Sequence, residues 1–151
     1  MLELEIPVEE KPGEDMPSLN HSYLCSRILR QLFEYPSIEA LTELSLDIDN
    51  GLTPDISVYP VNAIHPNFSR DITRMSQLPI LAIEVISSSQ NIQDILEKAE
   101  RMVKAGVKAV WTIEPFTRAI FVTTSQGENI FYNSVVESEG ISVDFTKIFS
   151  A

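Results

Sequence analysis

From Leu78 to Ser87 the chain reads LPILAIEVIS, ten residues among which Glu84 is the single charge. A run this uniformly apolar marks a central strand covered on both faces, so other elements must lie above and below it. The next segment supplies one cover. Ser87, Ser88 and Ser89 offer caps for a helix from about Gln90 to Ala105. Its Ile92, Ile95, Leu96, Ala99, Met102 and Val103 form one apolar stripe, and Gly106 is its stop. Strand, cap, helix and glycine stop in succession predict an α/β (α+β) architecture.

The flanking sequence extends this pattern. Leu24, Cys25, Ile28, Leu29, Leu32 and Phe33 recur at helical spacing, with Ser18 or Asn20 as the cap. Leu44, Leu46 and Ile48 alternate with polar residues before Asp49-Asn50-Gly51, which predicts a strand entering a hairpin. Its antiparallel partner would be PDISVYP, with Ile56 and Val58 on one face and Asp55, Ser57 and Tyr59 on the other. Residues 60–77 are polar and read as an exposed excursion. VKAVWTIEP, RAIFVTT and NIFYN predict three more strands, and a short helix from Asp144 to Phe149 closes the chain. Residues 1–17, with five Glu, one Asp and three Pro, read as a solvated arm or edge segment; residues 18–151 read as a single domain.

Eleven basic against twenty-two acidic residues give a net charge of −11. That balance argues against a general nucleic-acid coat protein, because polyanions are normally met by positive surfaces. It leaves room for an enzyme whose acidic residues bind metal and whose few basic residues gather on one side. Cys25 is the sole cysteine and cannot form an intrachain disulfide. No leader-like segment or apolar run of membrane-spanning length is legible, so a cytoplasmic protein is expected, with no membrane partner.

Three residues stand out for chemistry. Glu84 carries a desolvation penalty of several kcal/mol if its strand is buried on both faces, unless a cation compensates it. The alternative is that it reaches water or an arginine at the strand end. Asp55 follows Pro54 at a strand start, where turn chemistry is the commoner explanation. A neighbouring strand could nevertheless set it beside Glu84, and two close carboxylates repel unless a proton or a cation lies between them. Lys98 lies at the edge of the helix stripe; it could form an ordinary surface pair with Asp94 or stabilise charge on a phosphate. His21 and His65 are too few and too far apart to suggest zinc, Cys25 reads as core, and so does Trp111.

The order Pro54-Asp55, then Glu84-Val85 closing an apolar strand, then a lysine in the next helix resembles the PD-(D/E)XK nuclease superfamily. More closely, it is similar to the bacterial domain-of-unknown-function branch of restriction-endonuclease-like proteins whose lysine has migrated from strand to helix. AGVKAVWTIEP looks like that branch's Gly-Val and Trp segment, and the resemblance runs from Asn20-His21 to Phe149. Ile86 stands two residues after Glu84, so the strict Glu-X-Lys motif is absent and Lys98 must take its place. The resemblance implies a restriction-endonuclease-like mixed β-sheet flanked by helices. It also implies a Mg2+ ion, replaceable by Mn2+, held by Asp55, Glu84 and the carbonyl of Val85, with Glu43 as a further acidic ligand. Asp55, Glu84 and Lys98 would be catalytic, DNA the substrate and a homodimer the means of cutting both strands. Arg27, Arg30, Arg101, Lys104 and Lys108 are candidates for phosphate contact. Two readings compete with this one: a nuclease-fold module that binds or regulates without turnover, and an interaction domain in which Asp55 and Glu84 merely cap or pair.

Overall fold

The computed structural model describes residues 18–150. The arm expected over residues 1–17 lies outside them. Helix α1, Leu19–Leu32, opens the described chain, and Ser18 caps it by accepting a hydrogen bond from the His21 backbone N–H. Strands β1, Ile38–Thr42, and β2, Ile56–Pro60, come next, then β3, Leu81–Val85, helix α2, Ile92–Ala105, and β4, Ala109–Glu114. Strands β5, Ala119–Thr124, and β6, Gly127–Tyr132, complete a sheet ordered β1-β2-β3-β4-β5-β6. Only β3 and β4 in this sheet are parallel, because α2 is the crossover that joins them; the other neighbours are antiparallel. The sheet is therefore mixed, as expected.

Every residue of β3 is buried, as its apolar run demands. Leu81, Ile83 and Val85 enter one core with Leu24, Ile28 and Leu32 of α1 and with Trp111. Ala82 faces the other way, into a second core with Ala99 and Met102 of α2 and Val110. Helix α1 thus covers one face of the central sheet and α2 the other. Trp111 is fully buried, as its apolar surroundings predict, and its indole N–H donates to Ser138 Oγ at 2.8 Å.

Three expectations need correction. The strand that pairs with β2 is Ile38–Thr42, not residues 44–48, because Glu43 takes a left-handed φ of 52° and ends the extended run. Residues 44–52 still make the predicted turn, with Asp49 and Gly51 at positive φ, but their ladder shrinks to one bridge between Leu46 and Leu52. The alternation there reports burial: Leu46 and Ile48 fill the α2-side core. The cap of α2 is Asn91, whose side chain accepts from the N–H groups of Gln93 and Asp94, not one of the serines. Finally, Val135–Ser138 and Ile141–Asp144 form an unforeseen hairpin, β7 and β8. Its turn residues Glu139 and Gly140 both have positive φ, as a two-residue hairpin turn requires. The closing helix, α3, is Phe145–Ile148, capped by Asp144.

Candidate functional site

Strands β2 and β3 set Ile56 opposite Ile83. The same register carried one step further puts Asp55 opposite Glu84. Ile83 and Val85 enter the α1-side core, so alternation along β3 gives Glu84 the α2 side, while Asp55, just before β2, reaches His21 of α1. Glu84 is 4% exposed. Lys98, one turn and a half into α2, forms an ion pair with Glu84 Oε2, and its ammonium donates to the Thr53 carbonyl at 3.3 Å. The lysine is thus drawn inward, and no Asp94–Lys98 ion pair forms among the described residues.

Asp55 is held from two sides. Its Oδ2 accepts the Val85 backbone N–H at 2.7 Å, and its Oδ1 lies 3.1 Å from His21 Nε2. By sequence His21 is weighed only with His65 and both are set aside; its place at the start of α1, one turn before Cys25, is the available signal. Glu43 sits beside this group rather than within it. Its backbone N–H donates to the Asp55 carbonyl at 3.1 Å, while its exposed side chain lines a cavity of about 520 Å³ shared with His21, Cys25, Arg30 and Asp55. The structure therefore brings together Asp55, Glu84, Lys98 and the Val85 backbone, and leaves Glu43 at the rim.

Among the candidate cations for phosphate contact, Arg30 lines this cavity. Arg101 is instead paired with Asp49 at 3.3 Å, and the Arg27 guanidinium lies over the Tyr23 ring, 4.6 Å from its centroid. Lys104 and Lys108 are exposed.

Burial pushes the Glu84 carboxyl up from 4.5 to about 8; the Lys98 ammonium opposes this shift and the Asp55 carboxylate adds to it. Asp55 and Glu84 thus offer neighbouring oxygen donors, the Asp55 carboxylate disfavouring a bare anion at Glu84. That donor chemistry fits a hard divalent cation, for which these two residues and a carbonyl would suffice. A consequence follows for stability without metal. Glu84 binds its proton more tightly folded than unfolded, so its contribution is fully present below pH 4.5 and is lost as pH rises through about 8. Thermal unfolding in chelator should show a melting temperature that falls across this window, and Glu84→Gln should flatten the fall. An equal slope in the variant would contradict the burial of Glu84.

Residues 3–149 match a protein family, Uma2, described as "Putative restriction endonuclease". Among solved structures, the chain is similar to a putative nuclease belonging to DUF820 from Anabaena variabilis. The TM-score is 0.76 at 21% sequence identity, covering 90% of this chain and 83% of that one. At that identity the likeness shows the fold, which is restriction-endonuclease-like. No curated protein matches the chain. Among the described residues, no helix is long and apolar enough to cross a membrane.

Proposed function

The chain belongs to the Uma2 family of restriction-endonuclease-like proteins, and on that premise we propose that it is a Mg2+-dependent endonuclease that hydrolyses phosphodiester bonds of DNA. The observation that carries this reading is the register that sets Asp55 across from a buried Glu84, with Lys98 arriving from α2. Asp55, Glu84 and the Val85 carbonyl would hold the cation, Glu43 standing by as an outer acidic group, and Mn2+ could replace Mg2+. When bound, the cation supplies Lewis acidity at the scissile phosphate and makes water a stronger acid near neutral pH. The protein's own groups then have distinct tasks. Val85 N–H and His21 keep Asp55 from rotating out of the site. Lys98 is anchored at the Thr53 carbonyl, from where its ammonium orients the attacking water and balances charge building on the phosphate.

The net charge of −11 makes the few cations near the cavity decisive for DNA binding. Arg30, on its wall, is the one we assign to a substrate phosphate. Arg30→Ala is expected to weaken DNA binding alike for all sequences and to reduce the salt dependence of log K by roughly one phosphate contact. A salt titration of binding by fluorescence anisotropy reads both; an unchanged slope would remove Arg30 from the interface.

The deciding experiment is incubation of supercoiled plasmid and linear DNA with the purified chain in Mg2+, Mn2+ or chelator. Cleavage in either metal and none in chelator is expected. Linear product without an accumulating nicked circle would support a homodimer cutting both strands, whereas nicked circle alone would indicate single sites. Binding without cleavage under every condition would instead favour a nuclease-fold module that acts without turnover.

A further inference from the structure

A second donor set shares Asp55 but not Glu84. His21 and Cys25 are four residues apart on α1 and so project from one face of the helix. His21 Nε2, Cys25 Sγ and an Asp55 carboxylate oxygen all lie within 4.8 Å of one another. His21 is 7% exposed, and its Nε2 has no hydrogen-bond partner although Asp55 Oδ1 is 3.1 Å away. The carboxylate is near enough to feel the ring nitrogen but off the line of an N–H bond. A cation bound between the ring nitrogen and the carboxylate would give both atoms a partner.

We propose that His21, Cys25 and Asp55 form a binding site for a thiophilic divalent cation, Zn2+ first among them, distinct from the oxygen-donor set of Asp55 and Glu84. Sulfur and imidazole donors select zinc over magnesium. A tetrahedral zinc with donors at about 2.0–2.3 Å keeps them about 3.3–3.6 Å apart, so the His21–Asp55 pair is already close enough and a small side-chain movement completes the triad. His21, Cys25 and Asp55 line the same cavity, with Glu43 also on its wall, so water could supply a fourth donor. Since Asp55 serves both sets, zinc on the α1 side withdraws a ligand from the other. Zinc therefore inhibits the Mg2+-dependent reaction; that consequence alone rests on the proposed nuclease activity.

The test uses the full chain stripped with chelator and titrated with Co2+ as a spectroscopic stand-in for zinc. A thiolate-to-cobalt charge-transfer band saturating at one equivalent, and displaced by Zn2+, is expected. Cys25→Ser should abolish the band with an unchanged circular dichroism spectrum, His21→Ala should weaken cobalt binding at least about 10-fold, and Glu84→Gln should retain it. Absence of the band in the wild-type chain overturns the site. So does undiminished affinity in His21→Ala, a variant that keeps the thiol and remains informative if Cys25→Ser does not fold. Loss of the band in Glu84→Gln would show that cobalt uses the other donor set, which also overturns the proposal. These readings need no catalysis. Where Mg2+-dependent cleavage is observed, zinc should slow the wild type and leave Cys25→Ser at least about 10-fold less sensitive; equal inhibition of both would refute the link between the sites.

Discussion

Glu84→Gln is expected to abolish Mg2+-dependent cleavage, with a loss on the order of 10³-fold or more, while leaving the fold and its stability almost unchanged. The two halves of that expectation come from the same burial. In the metal-free protein burial pushes the Glu84 carboxyl up against the opposing pull of Lys98, so holding its charge is costly there. Gln has the same shape and no charge to desolvate, so its stability cost should stay within about 1 kcal/mol. The Lys98 ammonium loses an ionic partner but keeps the Thr53 carbonyl and a route to water, its side chain being 19% exposed. Cation binding, by contrast, needs the anionic carboxylate that Gln lacks. Cleavage time courses at saturating Mg2+, set beside thermal unfolding in chelator, separate these effects. Cleavage within tenfold of wild type would remove Glu84 from the metal site, whereas a large drop in melting temperature would mean its role is structural.

That Glu84 deserved this weight was legible from the sequence, because one carboxylate in a ten-residue apolar run is a local signal. The helix after it was legible for the same reason: its stripe, its Lys98 at the stripe's edge and its Gly106 stop all lie within one contiguous segment. What placed Asp55 beside Glu84 was not local. It depends on the β2–β3 register, and slipping that register by one residue would reverse the faces of a whole strand. Pattern alone does not choose between such registers, and the resemblance to nucleases supplied the pairing instead. The place of His21 in the site was missed on similar grounds, since its partner Asp55 lies 34 positions away and meets it only when α1 packs against the sheet. Leu44, Leu46 and Ile48 misled because burial of every second residue occurs in irregular segments too, and nothing local announced the left-handed turn at Glu43. The β7–β8 hairpin carried a usable cue in Glu139-Gly140 between Val136 and Ile141, but strands of four residues leave little periodicity to read.

Lys98→Met should lower kcat by about 10²–10³-fold at saturating metal, the magnitude associated with losing one preorganised charge at a developing anion. Methionine keeps much of the length and apolar stem that packs at the edge of α2, so the variant isolates the ammonium. Its removal has a second effect that must be separated from the first. The Lys98 ammonium is what holds the Glu84 carboxyl down against burial and the Asp55 carboxylate, so the variant shifts Glu84 to a still higher value. Metal must then displace a more tightly bound proton, and apparent Mg2+ affinity at neutral pH falls for that reason alone. Raising the pH past the shifted value restores the metal site but cannot restore the missing ammonium. The expected signature is therefore split: apparent Mg2+ affinity recovers at alkaline pH and high Mg2+, while kcat stays depressed. Full recovery of kcat under those conditions would mean that Lys98 acts only through the charge of Glu84, as a positioning residue. A kcat that never recovers, with metal bound, assigns the ammonium a direct part in the reaction.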